Sequence, residues 1–460
     1  MKKFFESFIN VWKIEELKNR IVLTLLILLV YRFGAHVTLP GIDAIVLDDL
    51  AKAHEGLGGQ TEKGLGSILD MFTGGAFSKA SVFALGIMPY ISASIVVQLM
   101  GIAIPYLQKL QKDGESGRKK LNQITRWLTI AITVVQGPGY IYNLFRTLPD
   151  AAFLHNSYPD EISKASFIGL SVVILTIGTI FAMWLGEKIT DKGIGNGISL
   201  LIMVGILARL PQSLFQEITT KMTGQTVGGP MLLVIEVIVW LLVIIACVLL
   251  VMAVRKIPVQ YARRTTTGDF EQDMMGGNRQ WIPLKLNSAG VMPIIFAQAI
   301  MFIPAAVAGL SKSETSQSIA GTFSNLFGFW YNVVFASLIV IFTFFYTAIT
   351  VPTNKMADDL KRSGGFIPGV KPGIETADFL DRIMSLITFP GSLFLALIAV
   401  FPALVVSVGV QESWAMFYGG TSLIIMVGVA IDTIQQVNSY LLNKHYDGLM
   451  KSGKNRKAVA

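Results

Sequence analysis

The 460-residue chain is 52% apolar and only 15% charged, a balance that the one or two buried cores of a soluble protein of this length do not produce. Its net charge of +8 comes from 38 lysines and arginines against 30 acidic residues. The single cysteine, Cys247, excludes a disulfide framework and a Cys-based metal site.

Residues 1–20 carry Lys2 and Lys3 but also Glu6, Glu15 and Glu16, and no small-residue cleavage pattern follows the apolar run 21–30. An uncleaved amphipathic surface segment is expected there rather than a signal peptide. Apolar runs of about 20 residues, enough to cross roughly 30 Å of hydrocarbon, then recur near 21–35, 81–104, 127–145, 166–186, 194–210, 230–254, 289–310, 324–351, 383–409 and 415–436. The expected class is an all-α integral membrane protein with ten transmembrane helices. With both termini cytoplasmic, the cytoplasmic segments hold 29 of the 38 basic residues, which satisfies the positive-inside rule. That basic face suits anionic lipid, ribosomal RNA or an acidic protein, although orienting the spans already accounts for most of it.

The spans form two groups of five, 21–223 and 224–436, followed by a basic tail at 437–460. Five being odd, the second half is inverted relative to the first, an arrangement that puts a transport path between halves. Ahead of the second span lies a short apolar segment, residues 65–72, on the pair Gly74 and Gly75. It is too short to span. It either lies at the interface, which sequence physics favours, or folds back into the protein. Gly86 and Pro89 fall inside the second span, with Ser92 and Ser94 after them, so a kink is expected there. Residues 193–199, GIGNGIS, look like a phosphate-binding glycine loop only superficially, because a hydrophobic span and no strand precedes them. A tight hairpin is expected, with Asn196 and Ser199 capping the second helix.

Glu236 and Arg32 are the clear candidates for a functional charge within the membrane, each near a predicted span end, and Lys188, Glu187, Asp432 and their neighbours also fall at borders. A secondary transporter for a small solute is the alternative reading, but it would keep paired charges at the midplane, and no such cluster emerges. The histidines His36, His54, His155 and His445 are scattered, with no HExxH and none beside Ser or Cys. Enzyme chemistry is not expected, and neither is a cofactor.

Several motifs occur in one family's order: DMFTGGAFS at 70–78, FALGIMPYISASI at 83–95, DGESGR at 113–118, GIGNGIS at 193–199, PLKLN at 283–287 with AGVMP at 289–293, GFIPG at 365–369 and GGTS at 419–422. Together they closely resemble the SecY/Sec61-alpha family of protein-translocon channel subunits. The resemblance implies a clam-shell of two inverted five-helix halves around an hourglass pore. It implies a narrow ring of Ile87, Ile91, Ile198, Ile202, Ile295 and Ile425; a dry aliphatic constriction resists hydrated ions. It makes residues 65–75 a plug, comprising Leu65, Gly66, Ser67, Ile68, Leu69, Asp70, Met71, Phe72, Gly74 and Gly75. Ser92 and Gln298 become polar candidates at a lateral gate. Cytoplasmic loops 255–288 and 353–381 become docking sites for the SecA ATPase and the ribosome, through Arg255, Lys256, Arg263, Arg264, Lys371, Pro372 and Gly373. Where the family commonly has Arg-Pro-Gly, this chain has Lys371, which keeps the charge but loses the planar fork. The implied partners further include SecE and SecG subunits, unfolded preproteins, signal sequences and membrane lipid, with no sequence-specific nucleic-acid binding. The implied location is the bacterial cytoplasmic membrane.

Overall fold

The computed structural model describes residues 12, 14–47, 70–149, 152–153, 161–223, 229–261, 280–298, 300–301 and 325–456. Contacts divide the chain into two compact units, Met1–Thr220 with Val429–Ala460, and Lys221–Gly428.

The first unit begins with α1, Glu15–Gly34, which carries Glu15 and Glu16 in its first turn and Arg32 in its last, the polarity that the helix dipole favours. The span expected over 81–104 is helical only from Met88, as α2, Met88–Ala103. The expected internal kink is instead a helix start. Gly86 sits at φ +52°, outside the right-handed helical region, and Pro89 falls in the first turn, where its missing N–H costs nothing. At the other end Ile104, held extended at φ −103° and ψ 115° before Pro105, bends the chain by 105° into α3, Pro105–Lys112.

Helix α4, Gly114–Thr147, and α5, Glu161–Lys192, pack on one another, α2 packs on α4, and α1 on α5. Helix α6, Gly197–Met222, follows. The buried core of this unit joins Leu39, Phe77, Ala80 and Ala84 to Tyr140, Ile141, Leu144, Phe167 and Leu175. Residues 70–87 are therefore part of the core although most of them are turns.

The second unit contains α7, Gly229–Met252; strands β1, Val254–Tyr261, and β2, Gln280–Lys285; α8, Phe329–Thr350; α9, Thr353–Arg362; β3, Gly365–Phe366; α10, Ile374–Ser407; and α11, Glu412–Ala415. Helix α12, Gly420–Arg456, starts here and continues in the first unit. Helix α10 packs against α8, α7 and α9. The strands form an antiparallel sheet in the order β2–β1–β3, with Val254 opposite Lys285 and Gln260 opposite Phe366. The all-α expectation did not include this sheet. Alternation of Ile257 and Val259 along β1 gives it one apolar face, which packs with Leu284, Leu360, Ile367, Leu380 and Met384.

Among the described residues, α5, α6, α7, α8, α10 and α12 each hold a stretch long and apolar enough to cross a membrane, and the bent pair α2/α3 makes a seventh. Helices α1 and α4 cover the first and third predicted spans, while the seventh, 289–310, is described only over 289–298 and 300–301. Helices overrun the predicted runs at their polar ends, as α4 does by starting at Gly114 rather than 127. Intrahelical bonds do not stop where the hydrocarbon does. Cys247 is buried at 1% exposure.

In the second unit Lys221 Nζ lies 3.1 Å from Glu236 Oε1 and donates to the Gly409 carbonyl at 3.1 Å, with side-chain exposures of 0% and 6% for the pair. Breaking a buried pair from one side leaves an uncompensated charge. Lys221→Met is expected to destabilise the protein by about 3–5 kcal/mol, and Lys221→Met with Glu236→Leu to recover most of that loss, both read from thermal unfolding in detergent. A double variant no more stable than Lys221→Met would count against this account.

Candidate functional site

The expected ring residues divide between the units. In the first, Ile87 and Ile91 are 4% and 9% exposed and are stacked by the Ile91 N–H donating to the Ile87 carbonyl at 3.1 Å. Ile198 is half-buried and Ile202 is 7% exposed, on the first turns of α6. The start of α6 is fixed by side chains that meet the backbone of the glycine loop. The Ile194 N–H donates to Thr24 Oγ1 at 3.1 Å, the Gly195 N–H to Gln436 Oε1 at 2.9 Å, and the Gly197 N–H to Thr190 Oγ1 at 2.9 Å. Asn196 caps the helix as expected, accepting from the Ile198 and Ser199 N–H groups at 3.2 and 3.4 Å. Ser199 enters that cap as a backbone donor. In the second unit Ile295 is half-buried and Ile425 is 3% exposed.

Of the expected plug, Leu65, Gly66, Ser67, Ile68 and Leu69 lie outside the described residues. Asp70, Met71 and Phe72 are 2%, 5% and 7% exposed, so this end folds back into the protein. The interfacial placement that sequence physics favoured is overturned here, because the chain supplies polar partners that the local sequence does not reveal. Asp70 pairs with Arg209. Arg32 Nη1 donates to the Gly74 carbonyl at 2.7 Å, and the Tyr140 hydroxyl donates to the Phe77 carbonyl at 2.7 Å. Gly74 and Gly75 sit at φ +65° and +93°, where a side chain would be strained. A Cβ on Gly205 of α6 would fall on the Phe72 carbonyl oxygen.

Ser92 is half-buried on α2, and Gln298 is 8% exposed on the helical stretch 292–298. Arg255 and Lys256 are exposed on β1, whereas Arg263 and Arg264 lie outside the described residues. Lys371 is 84% exposed, 3.6 Å from Glu375 one turn on, a pair that water screens almost completely. Pro372 is exposed and Gly373, at φ +113°, opens α10. The sheet positions these loops, since β1 carries Arg255 and Lys256 while its apolar face anchors on α9 and α10.

Sequence reasoning missed Arg209, Lys221, Thr24 and Gln436. A signal for Arg209 was present, because it follows Gly205 by one helical turn at the end of the fifth predicted span.

A SecY family model matches residues 81–434. The chain is 38% identical over 457 residues to the protein translocase subunit SecY of Streptomyces scabiei, covering 97% of this chain and 99% of that one. It is 38% identical over 456 residues to the SecY subunit of Thermotoga maritima, covering 98% and 99%. Among solved structures it is similar in fold to a protein-conducting channel (TM-score 0.60, 16% identity, 91% of both chains) and to a SecY channel whose plug domain stabilises its closed state (0.56, 16%, 91% of both). It is also similar in fold to Sec61 in a canine ribosome–channel complex (0.55, 14%, 91% of both). The ten-helix membrane architecture read from the sequence agrees with that fold, and with a family model over most of its length and relatives matched end to end, the chain belongs to the SecY family.

Proposed function

We propose that this multi-pass membrane protein is the central subunit of a protein-conducting channel in the bacterial cytoplasmic membrane. It passes unfolded polypeptides across and releases apolar segments sideways into lipid. The observation that carries this reading is the full-length similarity to protein translocase subunits. As a channel subunit it is not an enzyme. Its driving force comes from a motor ATPase, translation and the membrane potential, with SecE and SecG as companion subunits. Both termini are cytoplasmic, which keeps the basic loops on that face.

The domain scheme follows the sequence: a surface segment at 1–20, halves at 21–223 and 224–436, and a basic tail. The six isoleucines form the constriction. Their branched side chains favour no particular substrate residue and exclude hydrated ions. Supporting this, the clamped glycine loop and the start of α2 fix Ile87, Ile91, Ile198 and Ile202 on helix ends rather than on free loops. Residues 65–75 form the plug, and Ser92 and Gln298 belong to the lateral gate, where a helix partitions according to its hydrophobicity. Loops 255–288 and 353–381 dock the motor and the ribosome. The Sec61 neighbour was solved in a ribosome–channel complex, which supports the ribosome as a partner.

Single cysteines at Ile91 and Ile425, with Cys247 replaced by Ala, are expected to form disulfides with a cysteine-bearing preprotein stalled in inverted vesicles. A cysteine at Leu242, 63% exposed on α7, is expected to form none. If neither ring position cross-links while the stalled chain is protected within the membrane, the ring assignment is wrong and solute flux becomes the next measurement. At the docking loop, Lys371→Glu is expected to weaken motor binding by about fivefold through the reversed charge, and Lys371→Arg to bind at least as well as the parent. Equal affinities across the three would remove Lys371 from the docking surface.

A further inference from the structure

Residues 70–78, which contain the described end of the plug segment 65–75, are held by charge from two different helices. Asp70 is 2% exposed and engages both carboxylate oxygens: Oδ1 accepts the Ser78 N–H at 2.8 Å, and Oδ2 pairs with Arg209 Nη2. Arg209 also donates to Ser78 Oγ at 3.4 Å. From α1, Arg32 Nη1 donates to the Gly74 carbonyl at 2.7 Å. The two arginines press on adjacent residues of one turn. A Cβ on Gly74 would lie 2.8 Å from Arg32 Nη1, and one on Gly75 would lie 3.5 Å from Arg209 Nη2. Gly205, one helical turn before Arg209 on the same face of α6, lets the Phe72 carbonyl approach the helix backbone.

Two arginines are an expensive way to satisfy one carbonyl and two side chains in a membrane protein. Neutral donors would hold a permanent contact at lower cost, so the charges point to a contact that has to break. The exposures agree. Arg209 is 35% exposed while Asp70 is 2%, so the protein encloses the pair on the acid side and leaves it open on the base side. The Lys221–Glu236 pair, at 0% and 6%, is enclosed on both sides. The Asp70 carboxylate also closes the nine-residue stretch from Asp70 to Ser78 through the Ser78 N–H, while Phe77 stays anchored to Tyr140.

We propose that Arg32 and Arg209 form a two-point latch on segment 70–78 that holds the plug until an incoming polypeptide displaces it, with the charge of Asp70 setting the strength of the hold. This rests on reading the segment as a channel plug.

The test uses the complex as purified from its membrane with its companion subunits, reconstituted in proteoliposomes and planar bilayers. Asp70→Asn keeps the acceptor for the Ser78 N–H and removes only the charge. It is expected to raise resting ion conductance about tenfold, as a minor open state gains one decade of population. The ratio of transport of a preprotein with a defective signal sequence to that of an intact one is expected to rise in parallel. Arg209→Gln should leak at least as much, and the Asp70→Asn, Arg209→Gln double variant should leak no more than Arg209→Gln alone, because that substitution already removes the Asp70 interaction. Arg209→Lys retains the charge opposite Asp70 and should restore most of the seal. Arg32→Gln acts at the other point, and its leak should add to that of Asp70→Asn. A lowered melting temperature with unchanged conductance in Asp70→Asn and Arg209→Gln would make the pair merely structural and overturn the latch. Should the parent complex fail to move the intact preprotein while folded and assembled, the channel reading itself falls, and the latch falls with it.

Discussion

A membrane protein tolerates non-helical backbone only where each N–H and C=O finds a partner inside the protein, since hydrocarbon offers none. Residues 74–87 are that kind of backbone, largely turns from Gly74 to Ile87, and much of the first unit is arranged to satisfy them. The Leu39 N–H donates to the Ala80 carbonyl at 2.8 Å and the Val82 N–H to the Val37 carbonyl at 2.9 Å. Tyr140 meets the Phe77 carbonyl, Arg32 meets that of Gly74, and Thr73 Oγ1 accepts the Phe77 N–H at 3.2 Å. Aromatic packing accompanies these bonds. Phe77 lies 4.8 Å from the Tyr140 ring, and Phe83 stacks on Tyr31 at 5.5 Å.

Close approach is the second requirement, and side-chain volume decides where it is met. On α5, a Cβ at Gly178 would fall on the Val82 carbonyl; on α6, one at Gly205 would fall on that of Phe72. Each glycine weakens its own helix by roughly 0.5–1 kcal/mol relative to alanine. An alanine at either position would drive its Cβ into a backbone carbonyl oxygen, so the missing side chain is what lets the turns lie against these helices. The same trade recurs in the second unit, where a Cβ on Gly419 would meet the Ile398 carbonyl, and where Trp240 Nε1 donates to the Phe417 carbonyl at 3.0 Å.

These energetics explain which parts of the fold could be read from sequence. Long apolar helices declare themselves because lipid imposes one length and one polarity on all of them, so α5, α7, α8 and α10 lie over their predicted runs. The cap at Asn196 was legible because capping is local. The burial of residues 70–72 was not, since their partners lie far off in sequence: Arg209 is 139 positions from Asp70 and Arg32 is 42 from Gly74. Local hydropathy sees a short apolar stretch and sends it to the interface. The sheet escaped for a related reason. Its inward residues Ile257 and Val259 abut the apolar run of α7 and blur the period-two signal, while β3 contributes only two residues.

The ion pairs sort by how far the protein encloses each side chain. Lys221–Glu236 is closed to solvent on both sides, so separating it exposes two uncompensated charges to a low dielectric, and it acts as a fixed joint. Arg126 and Glu187 form a two-pronged pair across α4 and α5 with exposures of 50% and 19%; solvent weakens it, but its two parallel bonds set helix register. Asp70–Arg209 falls between, with side-chain exposures of 2% on the acid and 35% on the base. That asymmetry puts the greater desolvation cost on the carboxylate. In the proposed latch, withdrawal of that carboxylate is the step that breaks this one of its two points.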